Sequence, residues 1–216
     1  MHVTLAVHLL CTPAIHGACA RSTTLRMGGG IKQPRPKAPF DTSAVPAVAP
    51  GIVAAGGTLP RMIVFDLDNT VWTPELYTLR HLPGYARAGP PNPVAGKDVW
   101  LLDGAAAALH ELATCACWRG ASIAVASRTN KGGWARSLLS QFEVPGTPGR
   151  KLDVMLSHRQ IFTGSKVSHF EALRAESGLD YSEMLFFDDA GFGKFGNCEV
   201  RGQQAVAGGY SCFHKV

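Results

Sequence analysis

Residues 64–72 read VFDLDNTVW, and this stretch decides the fold. The run before the first aspartate, Met62-Ile63-Val64-Phe65, is apolar and β-rich, the signature of a strand buried on both faces. It ends in Asp66 and Asp68, one residue apart. Residues i and i+2 of an extended chain point the same way, so both carboxylates can face one crevice. Burying an unpaired charge is costly, and two acids that close do not both ionise readily without a cation between them. The stretch is therefore read as a strand that delivers a carboxylate pair and a metal to a site at its carboxyl end.

Working outward, apolar strands alternate with helical stretches from Arg61 onward. Helices are expected at 103–118, with Asp103 as N-cap and Gly120 as stop, at 133–142, where Trp134, Leu138 and Phe142 share a face, and at 168–176, closed by Gly178. Strands are expected at 122–126 (SIAVA), 152–156, 183–187 (EMLFF) and, last, 210–214. This alternation predicts an α/β fold, a Rossmann-like parallel sheet with helices on both faces, and such sheets bind ligands at the carboxyl ends of their strands. Polar clusters fall at those ends. Ser127-Arg128-Thr129 follows SIAVA, Asp188-Asp189 follows EMLFF, and Lys166 precedes a helix two residues beyond Gly164. A cluster of oxygen ligands suits Mg²⁺, a hard cation that takes a few carboxylates and keeps several waters.

The order FDLDNTVW, ASRTN, GSKVSHFEAL and FFDD resembles the haloacid dehalogenase superfamily, and more narrowly its magnesium-dependent acid phosphatase branch, over about Arg61 to Gly196. The resemblance implies a Mg²⁺-dependent phosphatase working through an aspartyl-phosphate. Asp66 is then the nucleophile and Asp68 the general acid and base. Ser127, Arg128, Lys166 and the backbone carbonyl of Leu67 contact the phosphoryl or substrate region, and Thr70 orients Asp66. Asp66, Asp68, Asp188 and Asp189 form the metal shell. Substrates implied are phosphotyrosine in proteins, or phosphorylated sugars and sugar-amine adducts. Phosphoryl transfer to another acceptor and an inactive phospho-ligand-binding relative are the competing readings. The first needs a closing cap, and the second is expected to lack Asp66 or Asp68. Between Thr70 and Ser127 only residues 71–102 are free of core elements. They contain Pro74, Pro83, Pro90, Pro91 and Pro93, which suit a flap over 73–98 and not a helical cap domain, so a capless site is expected.

The formal net charge of +5 does not point to nucleic acid. Residues 1–61 hold six basic residues and one acid, Asp41, while the remainder balances fifteen against fifteen, so the excess sits at the front of the chain. Residues 1–40 contain no Asp or Glu, and Arg21, Ser22, Thr23, Thr24 and Arg26 follow a small-residue Ala18-Cys19-Ala20 site. Residues 1–60 are read as a targeting leader and disordered linker, directed to a plastid or mitochondrion, with cytoplasmic or secretory placement as alternatives. The domain is then 61–216, read as a monomer whose partners are phosphorylated small molecules or phosphoproteins. No apolar run is long enough to span a bilayer. The six cysteines include no CxxC pair, which argues against zinc; Cys115 and Cys117, placed in a helix, are expected to point to different sides. The glycine-rich end after Asp189 is a weak helix former, and an irregular sheet edge is expected there.

Overall fold

The structure is a computed structural model and describes residues 40–44 and 46–190, together with the backbone of 212–215. Its frame is a sheet in which β1 (Met62–Phe65) lies between β4 (Ser122–Ser127) and β6 (Met184–Asp188). Both pairings are parallel and in step, with Phe65 opposite Val125 on one side and Phe187 on the other. β5 (His158–Ile161) adds in parallel outside β4, and β7 (Cys212–Lys215) closes the other edge antiparallel to β6. Parallel strands need crossovers, and helices supply them: α2 (Asp103–Thr114), α3 (Gly132–Gln141) and α5 (Lys166–Ser177).

The period of two in β1 divides the core. Ile63 and Phe65 face one side with Ile123, Val125 and the apolar stripes of α2 and α3, including Leu109, Trp134 and Leu138. Met62 and Val64 face the other side with Ala124, Ala126 and the α5 residues Phe170 and Leu173. Helices thus cover both faces, and β1 has no solvent-facing side, which is why its sequence is continuously apolar. Leu138 is fully buried, so its truncation to alanine costs about 2–5 kcal/mol.

Several local expectations differ from the structure, among them the N-cap of α2, which is Leu102 and not Asp103. Residues 152–156 do not form a strand: Leu152–Met155 is the short helix α4, which buries Leu152 and Met155 at helical i, i+3 spacing. The strand lies beyond it, at the edge of the sheet, where Arg159 faces solvent and Gln160 Nε2 donates to Glu176 Oε1 at 2.7 Å. Helix α2 stops at Thr114, because Cys115 is extended and 116–118 form a single 3₁₀ turn. The Cys115 thiol pushes that of Cys117 up. Residues 49–54, expected in the linker, form α1 (Ala49–Ala54), which buries Ala49 and Ile52 and whose Ala49 N–H donates to Glu111 Oε1 at 2.8 Å. Residues 1–39 of the expected leader and linker, 1–60, and the glycine-rich segment 191–211 lie outside the described residues.

Residues 71–102 form a flap closed at its base by a ribbon, β2 (Trp72–Thr73) antiparallel to β3 (Trp100–Leu101). Its interior holds 3₁₀ turns at Leu76–Thr78 and Tyr85–Arg87 and no α-helix. Helix α3 pins it. Trp134 Nε1 donates to the Gly89 carbonyl at 2.9 Å, Lys131 Nζ to the Tyr85 carbonyl at 2.6 Å, and Gln141 Nε2 to the Pro93 carbonyl at 3.0 Å.

Candidate active site

The carboxyl ends of β1, β4 and β6 lie side by side, which brings Asp66, Ser127 and Asp188 to one rim of the sheet. The Asp66 N–H still donates to the Phe187 carbonyl at 2.8 Å, so the nucleophile candidate is fixed to the sheet by its backbone. Helix α5 begins at the same rim. Ser165 caps it by accepting from the Ser168 N–H, and Gly178 ends it in the left-handed region at φ +70°. The cap fixes Lys166, at the first helical position, with its ammonium inside the crevice. Lys166 Nζ lies 2.8 Å from Asp66 Oδ1 and 3.1 Å from Asp188 Oδ2, and it also donates to the Ala126 carbonyl.

One ligand oxygen from each of Asp66, Asp188 and Asp189 lies within 4.8 Å of the others. Asp66 and Asp188 are buried and Asp189 is exposed. Burial pushes Asp66 up to about 7, against the pull of Lys166 and with a further push from Asp188. Asp189 is also raised, by burial first and by Asp188 second. Three carboxylates facing one ammonium carry a surplus of negative charge that a divalent cation offsets, and every donor is a hard oxygen, so the residues fit Mg²⁺.

Asp68 stands apart from this carboxylate group. Its Oδ1 accepts from Trp72 Nε1 at 2.8 Å, and the Leu76 N–H and Thr129 hydroxyl also act on it. Among the described residues the carboxylates that come together are Asp66, Asp188 and Asp189, and the Asp68 side chain lies outside that group, turned to Trp72. Burial still raises Asp68 to about 6. The Leu67 carbonyl, expected at the substrate region, accepts from the N–H groups of Thr70, Val71 and Trp72 at 3.3, 2.8 and 3.1 Å and so builds the turn. Asn69 sits in that turn at φ +57°, which asparagine tolerates. Thr70 reaches Asp189 and not Asp66: its Oγ1 accepts from the Asp189 N–H at 3.0 Å.

Ser127 is buried, with the Thr129 N–H 3.4 Å from its Oγ, and Arg128 is exposed just beyond it. The sequence reading gave no role to any histidine. Yet His169, fully buried, braces this rim: Nε2 lies 3.0 Å from both the Ser127 and Phe162 carbonyls, and Nδ1 lies 2.7 Å from that of Ser165. The available signal was its spacing, three residues after Lys166 on one helical face.

The profile of the family described as Acid Phosphatase matches residues 58–200. Human magnesium-dependent phosphatase 1 is 35% identical over 132 residues, 61% of this chain and 68% of that protein. A haloacid dehalogenase-like hydrolase superfamily protein of Schizosaccharomyces pombe is 31% identical over 134 residues, 60% of this chain and 76% of that protein. Among solved structures, the N-terminal part of a Bacteroides fragilis protein, containing a phosphatase domain complexed with Mg, is 23% identical with a TM-score of 0.39, covering 65% of this chain and 34% of that one.

Proposed function

The chain belongs to the acid phosphatase family of haloacid dehalogenase-like proteins, and on that premise we propose that it hydrolyses phosphomonoesters, phosphotyrosine in proteins or sugar phosphates, through a phosphorylated Asp66. The observation that supports this most is the meeting of Lys166 with Asp66 and Asp188 at the carboxyl ends of neighbouring strands. Nucleophile, cation and metal-binding carboxylates are then within reach of one phosphoryl group.

In this reading an Asp66 carboxylate oxygen attacks phosphorus while the bond to the leaving oxygen breaks. Asp68, held by Trp72, gives its proton to that oxygen. A water then attacks the phosphorus of the phospho-aspartate, passing its proton to Asp68, and frees Asp66 and inorganic phosphate. Lys166 Nζ and the Ser127 hydroxyl hold the phosphoryl oxygens, and Arg128 offers a guanidinium from the exposed loop. Asp66, Asp188 and Asp189 would hold Mg²⁺, which would supply neutralisation of the charge on the transferring group. Lys166, and a Mg²⁺ held beside it, would favour the ionised Asp66 that attack requires, while Asp68, turned to the flap, lies away from both. Among the described residues no cap domain stands over the site, and an open site of that kind favours hydrolysis over transfer to another acceptor.

The test is a hydrolysis screen of the full chain with Mg²⁺ across phosphotyrosine peptides and sugar phosphates. Turnover that disappears in Asp66→Asn supports the reading. Equal turnover by wild type and Asp66→Asn overturns it.

A further inference from the structure

The flap places one more charged group beside the catalytic acids. Glu75, at the start of the Leu76–Thr78 turn, is part-buried, and its Oε1 accepts from Asn69 Nδ2 at 2.7 Å. Asn69 is the residue directly after Asp68, so this bond ties the flap to the turn that carries the general-acid candidate. Its negative charge acts on both Asp68 and Asp189. Tyr77 stands beside it. The Glu75 carboxylate pushes the Tyr77 phenol up, the residue is half exposed, and its backbone carbonyl accepts from the Tyr85 hydroxyl at 3.0 Å. Leu76, between them, is fully buried and anchors the turn.

A carboxylate held by the Asn69 amide at 2.7 Å has lost rotamer freedom and keeps lone pairs to spare. Stability does not require an acid here: a glutamine carries the same acceptor for Asn69. The charge therefore has its consequence for whatever lies over Asp68, and that is the leaving group of the substrate.

We propose that Glu75 and the Tyr77 ring form the leaving-group subsite, selecting phosphomonoesters whose leaving group offers hydroxyl donors and rejecting those that carry a second phosphate. The subsite deepens the phosphatase reading and rests on Asp66 marking where the phosphoryl group sits. The Glu75 carboxylate accepts hydroxyl donors, and the exposed Tyr77 face packs against the carbon skeleton. A second phosphate meets Glu75 as a like charge close to the other carboxylates of the site, which is unfavourable in a partly desolvated crevice.

The experiment uses the full chain with Mg²⁺ and two probes that differ by one phosphate, fructose 6-phosphate and fructose 1,6-bisphosphate. Dissociation constants are measured in Asp66→Asn protein with and without Glu75→Gln, and kcat/KM in protein that retains Asp66. Glu75→Gln is expected to tighten the bisphosphate about tenfold and to change the monophosphate less than about threefold. Tyr77→Ala is expected to weaken the monophosphate about three- to tenfold. Equal shifts for both probes on Glu75→Gln, or none for either, overturn the subsite. Because binding is read in a protein that cannot form the phospho-aspartate, this result stands whether or not kcat/KM supports the phosphatase reading.

Discussion

The indole N–H of Trp72 donates to Asp68 Oδ1 at 2.8 Å, although Trp72 is itself fully buried and stacked on Phe142 at 6.1 Å between ring centroids. One residue thus packs the core and orients the proposed general acid. Asp68→Asn is expected to lower turnover by about 10²–10⁴-fold, most for substrates with poor leaving groups. Asp68 must be protonated at the start of the reaction, and it sits near about 6, so kcat/KM should fall as pH rises past that value. The Trp72 bond lowers Asp68. Trp72→Phe removes the donor, so the falling limb should move to higher pH. A limb unmoved in this variant contradicts the assignment of Asp68.

Metal binding offers a separate test. Chelation should abolish turnover and Mg²⁺ restore it, with Ca²⁺ a poor substitute because it prefers more ligands at longer distances. Thr70, bonded to the Asp189 N–H, supports that carboxylate from behind. Thr70→Val should weaken Mg²⁺ binding about 10-fold, read as a shift in the Mg²⁺ concentration giving half-maximal rate. Full activity in excess chelator would sink the metal assignment.

The raised acid also predicts a stability change. An aspartate near about 6 in the folded state and 3.8 unfolded holds its proton more tightly when folded. Its contribution to stability is therefore greatest at low pH and is lost as pH rises from about 4 to 6. Asp68→Asn removes that loss while keeping an acceptor for Trp72. At pH 7 the metal-free variant should be more stable than wild type, by at most about 3 kcal/mol and less after solvent screening at this partly exposed site. Denaturant titration of both proteins at pH 4 and pH 7 checks this, and a variant less stable than wild type at both values contradicts it.

Much of this site was legible because strand ends in a parallel sheet are constrained in one dimension. Asp66, Ser127 and Asp188 each follow an apolar run, and the in-register pairing of Phe65 with Val125 and Phe187 makes them neighbours. Lys166 was legible from the helix it starts. What escaped was set by tertiary contacts with no local period. β5 begins with His158 and Arg159 because it is an edge strand, so its polarity hid it, while the apolar i, i+3 pair of α4 imitated a strand. The rotation of Asp68 away from the carboxylate group depends on a turn whose N–H groups converge on the Leu67 carbonyl, which the spacing of two residues does not encode. His169 was missed because its partners are backbone carbonyls from three separate positions, and carbonyls leave no trace in a sequence.

The front of the chain carries the remaining proposal. Its lack of acidic residues through position 40 motivates targeting to a plastid or mitochondrion. A fluorescent protein fused behind residues 1–60 should enter one of those organelles. A uniformly cytosolic signal rejects the targeting role.

The covalent step at Asp66 is the centre of the account, and trapping it is the most direct test. Wild-type protein mixed with substrate and Mg²⁺, quenched in acid within the first turnover and reduced with labelled borohydride, should carry the label on residue 66, since the reagent reduces acyl phosphates. The account predicts label at Asp66 only when substrate is present. Label on any other residue, or none while phosphate is released, contradicts it.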